Sequence, residues 1–232
     1  MMVRNSRSNL LTRAQQWDYL LGIASIKAAQ SMTRGTLVAQ GAFSVFDTQA
    51  VRAVGGWPDA IGEDIVLTWS LLRHGWRTTH EPQAIAFTSV PESLAGLARQ
   101  RRRWARGMIE GLRAHGIPLL RTGLAFTQSI AADFALPYLD VVYTLAFPAG
   151  IVLACFGIFA IVGPMTLAVI PLNGLLATIM YLRAREAFRA QSLAVRRATL
   201  GFVLFLLGYQ LLMSPVAVAG YAQELLRLHR RW

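Results

Sequence analysis

The sequence predicts an α/β region followed by an all-α transmembrane region of about three helices. Two observations predict this fold class. Residues 1–113 carry most of the charged side chains and alternate between helix-like and strand-like patterns. Residues 124–226 are mostly apolar, and the two runs 141–182 and 198–223 contain no Asp, Glu, Lys or Arg.

The composition is typical of a membrane protein. The 232 residues are 54% hydrophobic and only 15% charged, and the mean hydropathy is +0.42. These values exclude a disordered chain, a collagen and a disulfide scaffold. They also argue against an ordinary soluble domain, in which about a quarter of the residues are charged. The formal net charge is +11, and the single cysteine, Cys155, cannot form an internal disulfide or a cysteine metal site. We divide the chain into a polar domain, 1–116, and a membrane domain, 117–232.

The charge-free runs predict three spans. A helix needs about 20 apolar residues to cross a bilayer, so the first run accommodates two spans and the second run accommodates one. We place the spans at 137–162, 165–182 and 199–221, with a turn at Gly163-Pro164. Buried core helices are the alternative, and such long charge-free runs disfavour them.

Arginines set the predicted orientation. The connection after the second span is strongly basic, which favours the cytoplasmic side; its arginines are Arg183, Arg185, Arg189, Arg196 and Arg197. Two preceding spans put residues 1–125 on the same side. The expected location is therefore the inner (plasma) membrane, as a multi-pass protein with a cytoplasmic polar domain. A third span would place the basic tail outside, so a re-entrant segment around Gly208 and Pro215 remains an alternative.

The first half of the polar domain mixes helix and strand signals. Apolar residues at helical spacing predict an amphipathic helix over 9–32. A β-rich composition predicts a strand over 36–46, where Gly41 would allow a ligand to approach the backbone. A short helix over 49–54 and a turn over 55–58 follow.

The second half of the polar domain is predicted to end in a long helix. Its elements are a helix over 64–73, strands over 76–80 and 84–89, and a helix over 91–115. Gly75 stops the first of these helices. Ser89 and Glu92 have the S-x-x-E spacing of a capping box, with Pro91 in the first turn. This is too little α/β structure for a complete doubly wound domain.

The first candidate catalytic motif is the acidic pair Glu63-Asp64 at the start of a predicted helix. A carboxylate at this place feels the positive end of the helix dipole, which favours its ionised form. Such a group is available as a base at neutral pH. Acidic residues in a first turn also stabilise helices without any catalytic role, and the pair alone does not decide between the two interpretations.

The second candidate motif combines Gln100, Arg103 and Trp104, which share one helix face at positions i, i+3 and i+4. The arginine fork suits a phosphate, and the indole suits the apolar face of a sugar ring. The alternative is a basic amphipathic helix on the membrane surface. It is supported by the accompanying arginines, Arg99, Arg101, Arg102, Arg106 and Arg113.

These motifs resemble those of the membrane-embedded processive glycosyltransferases of glycosyltransferase family 2, of the cellulose, hyaluronan and poly-β-1,6-N-acetylglucosamine synthase type. The hallmarks of that family are an E-D pair, often T-E-D, and Q-x-x-R-W ahead of membrane spans. Here they are Gly62-Glu63-Asp64 and Gln100-x-x-Arg103-Trp104. Further stretches follow in the family's order, namely 41–46, 54–57, 81–82 and 91–94. The resemblance covers about residues 9–113.

The resemblance implies a fold and a set of roles. The polar domain would be the C-terminal part of a GT-A type catalytic domain with an interfacial helix. Asp64 would be the general base that takes the proton of the acceptor hydroxyl, with Glu63 supporting it or touching the acceptor. Gln100 and Arg103 would hold the nucleotide pyrophosphate. Trp104 would stack under the acceptor sugar.

The resemblance also implies the reaction and the acceptor side of the site. The enzyme would transfer a sugar from UDP-N-acetylglucosamine or UDP-glucose to a growing β-linked polysaccharide, with inversion, and would couple this transfer to membrane export. Trp57 and the segment Gly41, Ala42 and Phe43 would line the acceptor side.

Two departures from the family pattern qualify this expectation. Gly62 stands where the family often has Thr, which removes a hydroxyl without abolishing base chemistry. The chain contains no D-x-D motif, the motif that the resemblance links to Mg²⁺ or Mn²⁺, so the metal ligands are expected outside this chain. We therefore expect a C-terminal half that is inactive alone and works with an upstream half-protein or an accessory synthase subunit.

The remaining partner expectations follow from charge. Basic residues beside membrane helices bind anionic headgroups, so the lipid bilayer is an expected partner. No nucleic-acid-binding module accompanies the basic residues, so no nucleic acid is expected. The alternative function is a non-catalytic membrane subunit that binds lipid or a partner synthase through its arginine-rich helix. A pure scaffold has no reason to retain Asp64 together with the Q-x-x-R-W residues.

Overall fold

The computed structural model describes residues 1–31, 35–116, 127–189, 191–193 and 199–228. These residues are mostly helical, and they contain two strands of two residues each. The predicted α/β class is therefore only partly confirmed. The prediction of three apolar helices is confirmed, because three helices are long and apolar enough to cross a membrane. The predicted domain boundary after residue 116 lies at the edge of the described residues and stays a prediction.

The helices are numbered in chain order. They are α1 Leu10–Tyr19, α2 Ile26–Ser31, α3 Thr48–Ala53, α4 Glu63–Arg73, α5 Leu94–Gly111, α6 Thr127–Cys155, α7 Pro164–Arg189, α8 Thr199–Leu204 and α9 Gln210–Leu225. Three π-helical segments continue or join them, at Leu20–Ser25, Leu112–Gly116 and Phe205–Tyr209. The strands are β1 Met2–Val3 and β2 Phe87–Thr88. The predicted helices over 49–54 and 64–73 are thus confirmed to within one residue. The predicted helix over 9–32 is confirmed from Leu10 to Ser31, and residue 32 lies outside the described residues.

The chain divides into two compact units. The first comprises Met1–Ser25, Pro82–Leu97 and Tyr138–Pro215, and the second comprises Ile26–Glu81, Ala98–Pro137 and Val216–Trp232. In the first unit, α1 packs on α7 and α8 through an aromatic cluster. Trp17 lies 5.2 Å from Tyr181 and 4.6 Å from Phe202 between ring centroids. Burial of this cluster accounts for the helical periodicity of residues 9–32.

The N-terminal strand of the first unit pairs in parallel with β2, in the register Met2 to Phe87 and Val3 to Thr88. The predicted strand over 84–89 is reduced to these two residues of β2. The predicted capping box is wrong, because Ser89 accepts hydrogen bonds from Arg4 and Glu92 accepts them from Asn5 and Ser8. The hydrogen bonds from Asn5 and Ser8 lower the pKa of Glu92. Helix α5 instead begins after Ser93, whose Oγ accepts from the Gly96 N–H.

The three candidate spans differ in length from the predicted ones. They cover Ala135–Cys155, Pro164–Glu186 and Thr199–Leu225. The first ends earlier than residue 162 because Gly157, at φ 78°, closes the helix in a left-handed turn. Part of the predicted basic connection is helical, because Arg183, Arg185 and Arg189 lie on the last turns of α7. Arg196, Arg197 and the tail 229–232 lie outside the described residues.

The third candidate span is helical throughout. Helix α8, the π-helical segment and α9 follow one another without a break from Thr199 to Leu225, and Pro215 lies inside α9. The backbone therefore does not reverse direction around Gly208 and Pro215, as a re-entrant segment would require.

The second unit contains the polar motifs. Its core is formed by Leu37, Ile65, Trp69 and Leu72, with Met108 and Leu112 of the following helical region packed against them. This core joins α4 to α5, so the two motifs of the sequence lie on helices that pack together.

The predicted strands over 36–46 and 76–80 are wrong, because both stretches are irregular. Side chains of α4 bond the backbone of the first stretch. The Ala39 N–H donates to Thr68 Oγ1 at 2.9 Å, and Trp69 Nε1 donates to the Leu37 carbonyl at 2.9 Å. One backbone bond joins the two stretches, from the Thr36 N–H to the Thr78 carbonyl at 3.1 Å. Backbone groups need partners wherever they are buried, and here α4 provides them.

Candidate functional site

The acidic pair lies in the first turn of α4. Gly62 is the N-cap residue and makes no side-chain capping bond, and Glu63 and Asp64 are the first two helical residues. Asp64 Oδ1 accepts from the N–H of Ile65 at 2.9 Å. Its Oδ2 accepts from the Gly41 N–H at 3.2 Å. The start of α4 thus carries a half-buried carboxylate that is oriented by backbone N–H groups.

Gly41 allows its segment to approach the acidic pair closely. A Cβ on Gly41 would lie 3.4 Å from Glu63 Oε1 and 3.8 Å from Asp64 Cβ. The predicted neighbours Ala42 and Phe43 continue this segment and are exposed, with Phe43 54% accessible. The segment is a turn rather than the predicted strand, but it does lie beside the carboxylates.

Trp57 lies between α3 and α4 and makes an aromatic contact. Its ring meets Phe46 edge to face, with 5.3 Å between centroids. The turn that carries it depends on Gly55 and Gly56, both at φ 92°. Trp57 remains 53% exposed, so one side of the indole faces solvent.

The Q-x-x-R-W motif lies in the first half of α5. Gln100 Oε1 is buried and has no hydrogen-bond partner among the described residues. Arg103 is exposed. The guanidinium of Arg101 lies over the Trp104 ring, 4.3 Å from its centroid, so one face of that indole is covered. Trp104 is 39% exposed.

Two glycines bring α4 and α5 into backbone contact. A Cβ on Gly62 would lie 2.6 Å from Gly107 Cα and 2.7 Å from the Gly107 carbonyl oxygen. A Cβ on Gly107 would lie 2.6 Å from Gly62 Cα. This contact explains the departure from T-E-D at Gly62, because a threonine there would collide with the backbone of α5. Gly107 is one turn beyond Arg103, about 6 Å along the helix axis.

Glu110 strengthens the same contact. Its Oε2 accepts from the Ile61 N–H at 2.6 Å and from the Gly62 N–H at 3.2 Å. Sequence reasoning missed both Gly107 and Glu110. Their spacing from Arg103, four and seven residues, was the available signal, because it places them on the side of α5 that carries the motif.

The last turns of α9 contact α5 through a buried ion pair. Arg106 Nε donates to Glu224 Oε2 at 3.0 Å, and Arg106 Nη2 donates to the Leu228 carbonyl at 2.9 Å. Arg113 lies 3.8 Å from the other oxygen of Glu224. Gly220 allows the close approach, because a Cβ there would lie 2.7 Å from the Arg102 carbonyl oxygen. Part of the arginine-rich helix is thus engaged within the protein.

A histidine pairs with the other end of α4. Arg73 Nη1 lies 3.1 Å from His115 Nδ1. Burial lowers the pKa of His115, and the positive charge of Arg73 lowers it further. The neutral ring can accept the arginine N–H at Nδ1, whereas a protonated ring cannot.

The residues present do not form a metal site. No group of three His, Cys, Asp or Glu side chains that could hold a metal occurs among the described residues. Glu63 and Asp64 provide only two carboxylates. In addition, Asp64 Oδ2 already accepts a hydrogen bond from the Gly41 N–H. A divalent metal therefore finds no ligand set in this part of the chain.

A family model described as "Glycosyl transferase family group 2" matches residues 1–222. The chain belongs to glycosyl transferase family group 2. The match covers the candidate site, the first two candidate spans and the third span as far as residue 222, so it includes the helices that carry both motifs.

Curated relatives match about half of the chain. The poly-beta-1,6-N-acetyl-D-glucosamine synthase of Staphylococcus aureus (strain COL) is 40% identical over 106 residues, which are 45% of this chain and 26% of that protein. The Staphylococcus epidermidis protein of the same name is 36% identical over 121 residues, or 52% of this chain and 29% of the relative. The matched region therefore spans less than a third of either relative. No solved structure matches the chain.

Proposed function

We propose that this family member carries the base-bearing part of an inverting glycosyltransferase that extends a β-linked polysaccharide at the membrane. The observation that carries the proposal is the backbone contact of Gly62 with Gly107. This contact packs the helix that begins with the acidic pair against the helix that carries Gln100 and Arg103. A base and a diphosphate-binding arginine in one site are what this reaction needs.

Asp64 acts as the general base. It takes the proton of the acceptor hydroxyl while the hydroxyl oxygen attacks the anomeric carbon of the donor sugar. The bond from that carbon to the diphosphate breaks, UDP leaves, and the anomeric configuration inverts. The Gly41 N–H orients the carboxylate, and the first turn of α4 places it at the positive end of the helix dipole. Glu63, in the same turn, supports Asp64 or contacts the acceptor.

Gln100 and Arg103 bind the diphosphate of the donor. The exposed guanidinium of Arg103 supports this role, and the amide N–H groups of Gln100 are donors that suit phosphate oxygens. The arginine offsets the charge that develops on the leaving group. Trp104 stacks under the acceptor sugar with the part of its ring that Arg101 leaves open.

The acceptor side is formed by Trp57 and by the segment Gly41, Ala42 and Phe43. Their support is exposure, since Trp57 and Phe43 each present about half of their surface. An exposed aromatic ring offers an apolar plane to a sugar.

The donor is a UDP-sugar, UDP-N-acetylglucosamine or UDP-glucose, and the name of the staphylococcal relatives favours the former. The candidate spans lie in the bilayer, where they carry the polymer towards export. The described residues contain no group of three metal-ligating side chains, and the sequence has no D-x-D motif, so we propose that the ligands of Mg²⁺ or Mn²⁺ and most of the nucleotide-binding surface lie outside this chain. The chain alone then makes no polymer from UDP-sugar.

The test uses membranes of the source cells and radiolabelled UDP-N-acetylglucosamine and UDP-glucose. Wild-type membranes should form labelled polymer, and Asp64→Asn should lower the rate by about a hundredfold or more. Asp59→Asn, which changes a nearby carboxylate outside α4, is the matched control and should keep the wild-type rate. Full activity of Asp64→Asn would instead favour the non-catalytic membrane subunit. Polymer made by the purified chain alone would contradict the need for a partner.

A further inference from the structure

The start of α4 depends on a neighbouring helix for its hydrogen bonds. The first N–H groups of a helix have no partner within the helix. Most helices satisfy one of them with a Ser, Thr, Asp or Asn side chain at the N-cap. Here the N-cap is Gly62, which has no side chain, because the backbone of Gly107 occupies that space.

Glu110 bonds the N-cap backbone from the neighbouring helix, as the Glu or Gln of a capping box does from within its own helix. One carboxylate oxygen accepts from two consecutive backbone N–H groups, those of Ile61 and Gly62, at 2.6 Å and 3.2 Å. The bonds are charge-assisted, and the negative charge lies at the positive end of the α4 dipole. Both features stabilise the position of the N-terminus of α4.

The position of Glu110 on α5 links this clamp to the proposed donor site. Arg103, Gly107 and Glu110 follow each other at spacings of four and three residues, so they lie on one side of the helix. The acidic pair begins at Glu63, directly after Gly62, whose N–H donates to Glu110. A rigid path of two hydrogen bonds and one helix face therefore connects Asp64 to Arg103.

We propose that Glu110 is a positioning residue for sugar transfer. It fixes the first turn of α4, and hence the carboxylate of Asp64, relative to the face of α5 that carries Gln100 and Arg103. The inference rests on the proposed function. It assigns to Glu110 no contact with donor or acceptor.

The consequence is a selective effect on the chemical step. Loss of the carboxylate leaves Gln100 and Arg103 in place, so binding of the sugar nucleotide is kept. The base shifts with the first turn of α4, and a misplacement of about 1 Å can cost about a hundredfold in rate. An amide at position 110 still offers one oxygen acceptor to the two N–H groups.

The experiment compares Glu110→Ala, Glu110→Gln and Asp64→Asn in membranes of the source cells, with rates normalised to folded protein. Glu92→Ala is the matched control, because Glu92 also bonds neighbouring chain segments but lies outside the site. Glu110→Ala should lower kcat by about tenfold to a hundredfold with an unchanged KM for the UDP-sugar. Glu110→Gln should recover most of kcat, and Glu92→Ala should leave it unchanged.

Hydrogen exchange on the purified chain tests the contact itself. The amides of Ile61 and Gly62 should exchange faster in Glu110→Ala and remain protected in Glu110→Gln. A wild-type kcat for Glu110→Ala, with Asp64→Asn inactive, would overturn the inference and leave the proposed function intact. An equal loss in Glu92→Ala would also overturn it. An active Asp64→Asn, or inactive wild-type membranes, would refute the proposed function and the inference with it.

Discussion

At the scale of single residues, the N-cap of α4 meets α5 through a direct backbone contact. Gly62 and Gly107 face each other at a distance that leaves no room for a Cβ on either. The sequence motifs pointed to the residues on both sides of this contact, but not to the contact. Two helices that are distant in sequence reveal their meeting point only through tertiary packing.

We predict that Gly107→Ala destabilises the chain. The new methyl group would lie 2.6 Å from Gly62 Cα, so α4 must move, at a cost of about 1–3 kcal/mol. Thermal unfolding of the detergent-solubilised chain measures the loss. Gly22→Ala is the control, because a Cβ there meets nothing within 4 Å, and alanine is the better helix former. Equal stability of Gly107→Ala and wild type would contradict the close contact.

A second residue-scale prediction concerns His115. The unfolded side chain titrates near the ordinary histidine pKa, about 6.5, and burial beside Arg73 lowers the pKa in the folded state. The unfolded state therefore binds more protons in the window below that value, so stability falls as the pH falls through it. Unfolding midpoints between pH 8 and pH 5 measure the slope, which His115→Gln should reduce. If the unfolding midpoint of His115→Gln depended on pH as steeply as that of the wild type, the result would count against the Arg73 contact.

At the scale of elements, helices were predicted well and strands were not. Asp47 caps α3 through its side chain, and Gly75 ends the turn after α4 at φ 85°; both signals are local and can be read from the sequence. A strand needs a partner strand, which no local pattern specifies. The stretch 36–46 has β-forming residues, but its backbone bonds to side chains of α4 instead.

The buried ion pair between α5 and α9 gives the element-scale prediction. Removing Glu224 leaves the guanidinium of Arg106 without its carboxylate in a mostly buried place, which should cost about 3 kcal/mol. Thermal unfolding of Glu224→Ala in detergent measures this loss. Exposed Glu186, on α7, provides the control variant Glu186→Ala, whose stability should stay within about 0.5 kcal/mol of wild type. An equally small effect in both variants would show that the pair does not hold α9 to α5.

At the scale of the whole molecule, the charge pattern predicted the membrane region, and the three apolar helices agree with it. Helix ends were predicted less well. The first candidate span ends at Cys155, and the second continues through charged residues to Glu186, because long arginine and glutamate side chains tolerate a helix end near the membrane surface. The sequence pattern reports where apolar residues stop, and a helix can continue beyond that point.

The single cysteine tests the predicted orientation. Cys155 is exposed at the end of the first candidate span, and with a cytoplasmic polar domain it lies on the outer side. A membrane-impermeant maleimide added to intact spheroplasts should label it. Ser44→Cys in a Cys155→Ser background is the matched control and should react only after permeabilisation. The reverse pattern of labelling would invert the topology.

The central claim is that Asp64 and Arg103 serve one reaction in different ways, as base and as diphosphate ligand. The most direct measurement is the steady-state kinetics of polymer formation in source-cell membranes for Asp64→Asn and Arg103→Lys. Asp64→Asn should lower kcat by about a hundredfold or more with the KM for UDP-sugar unchanged. Arg103→Lys keeps the charge but loses the fork, so it should raise that KM by about tenfold or more. Wild-type kcat in Asp64→Asn, or wild-type KM and kcat in Arg103→Lys, would contradict the account.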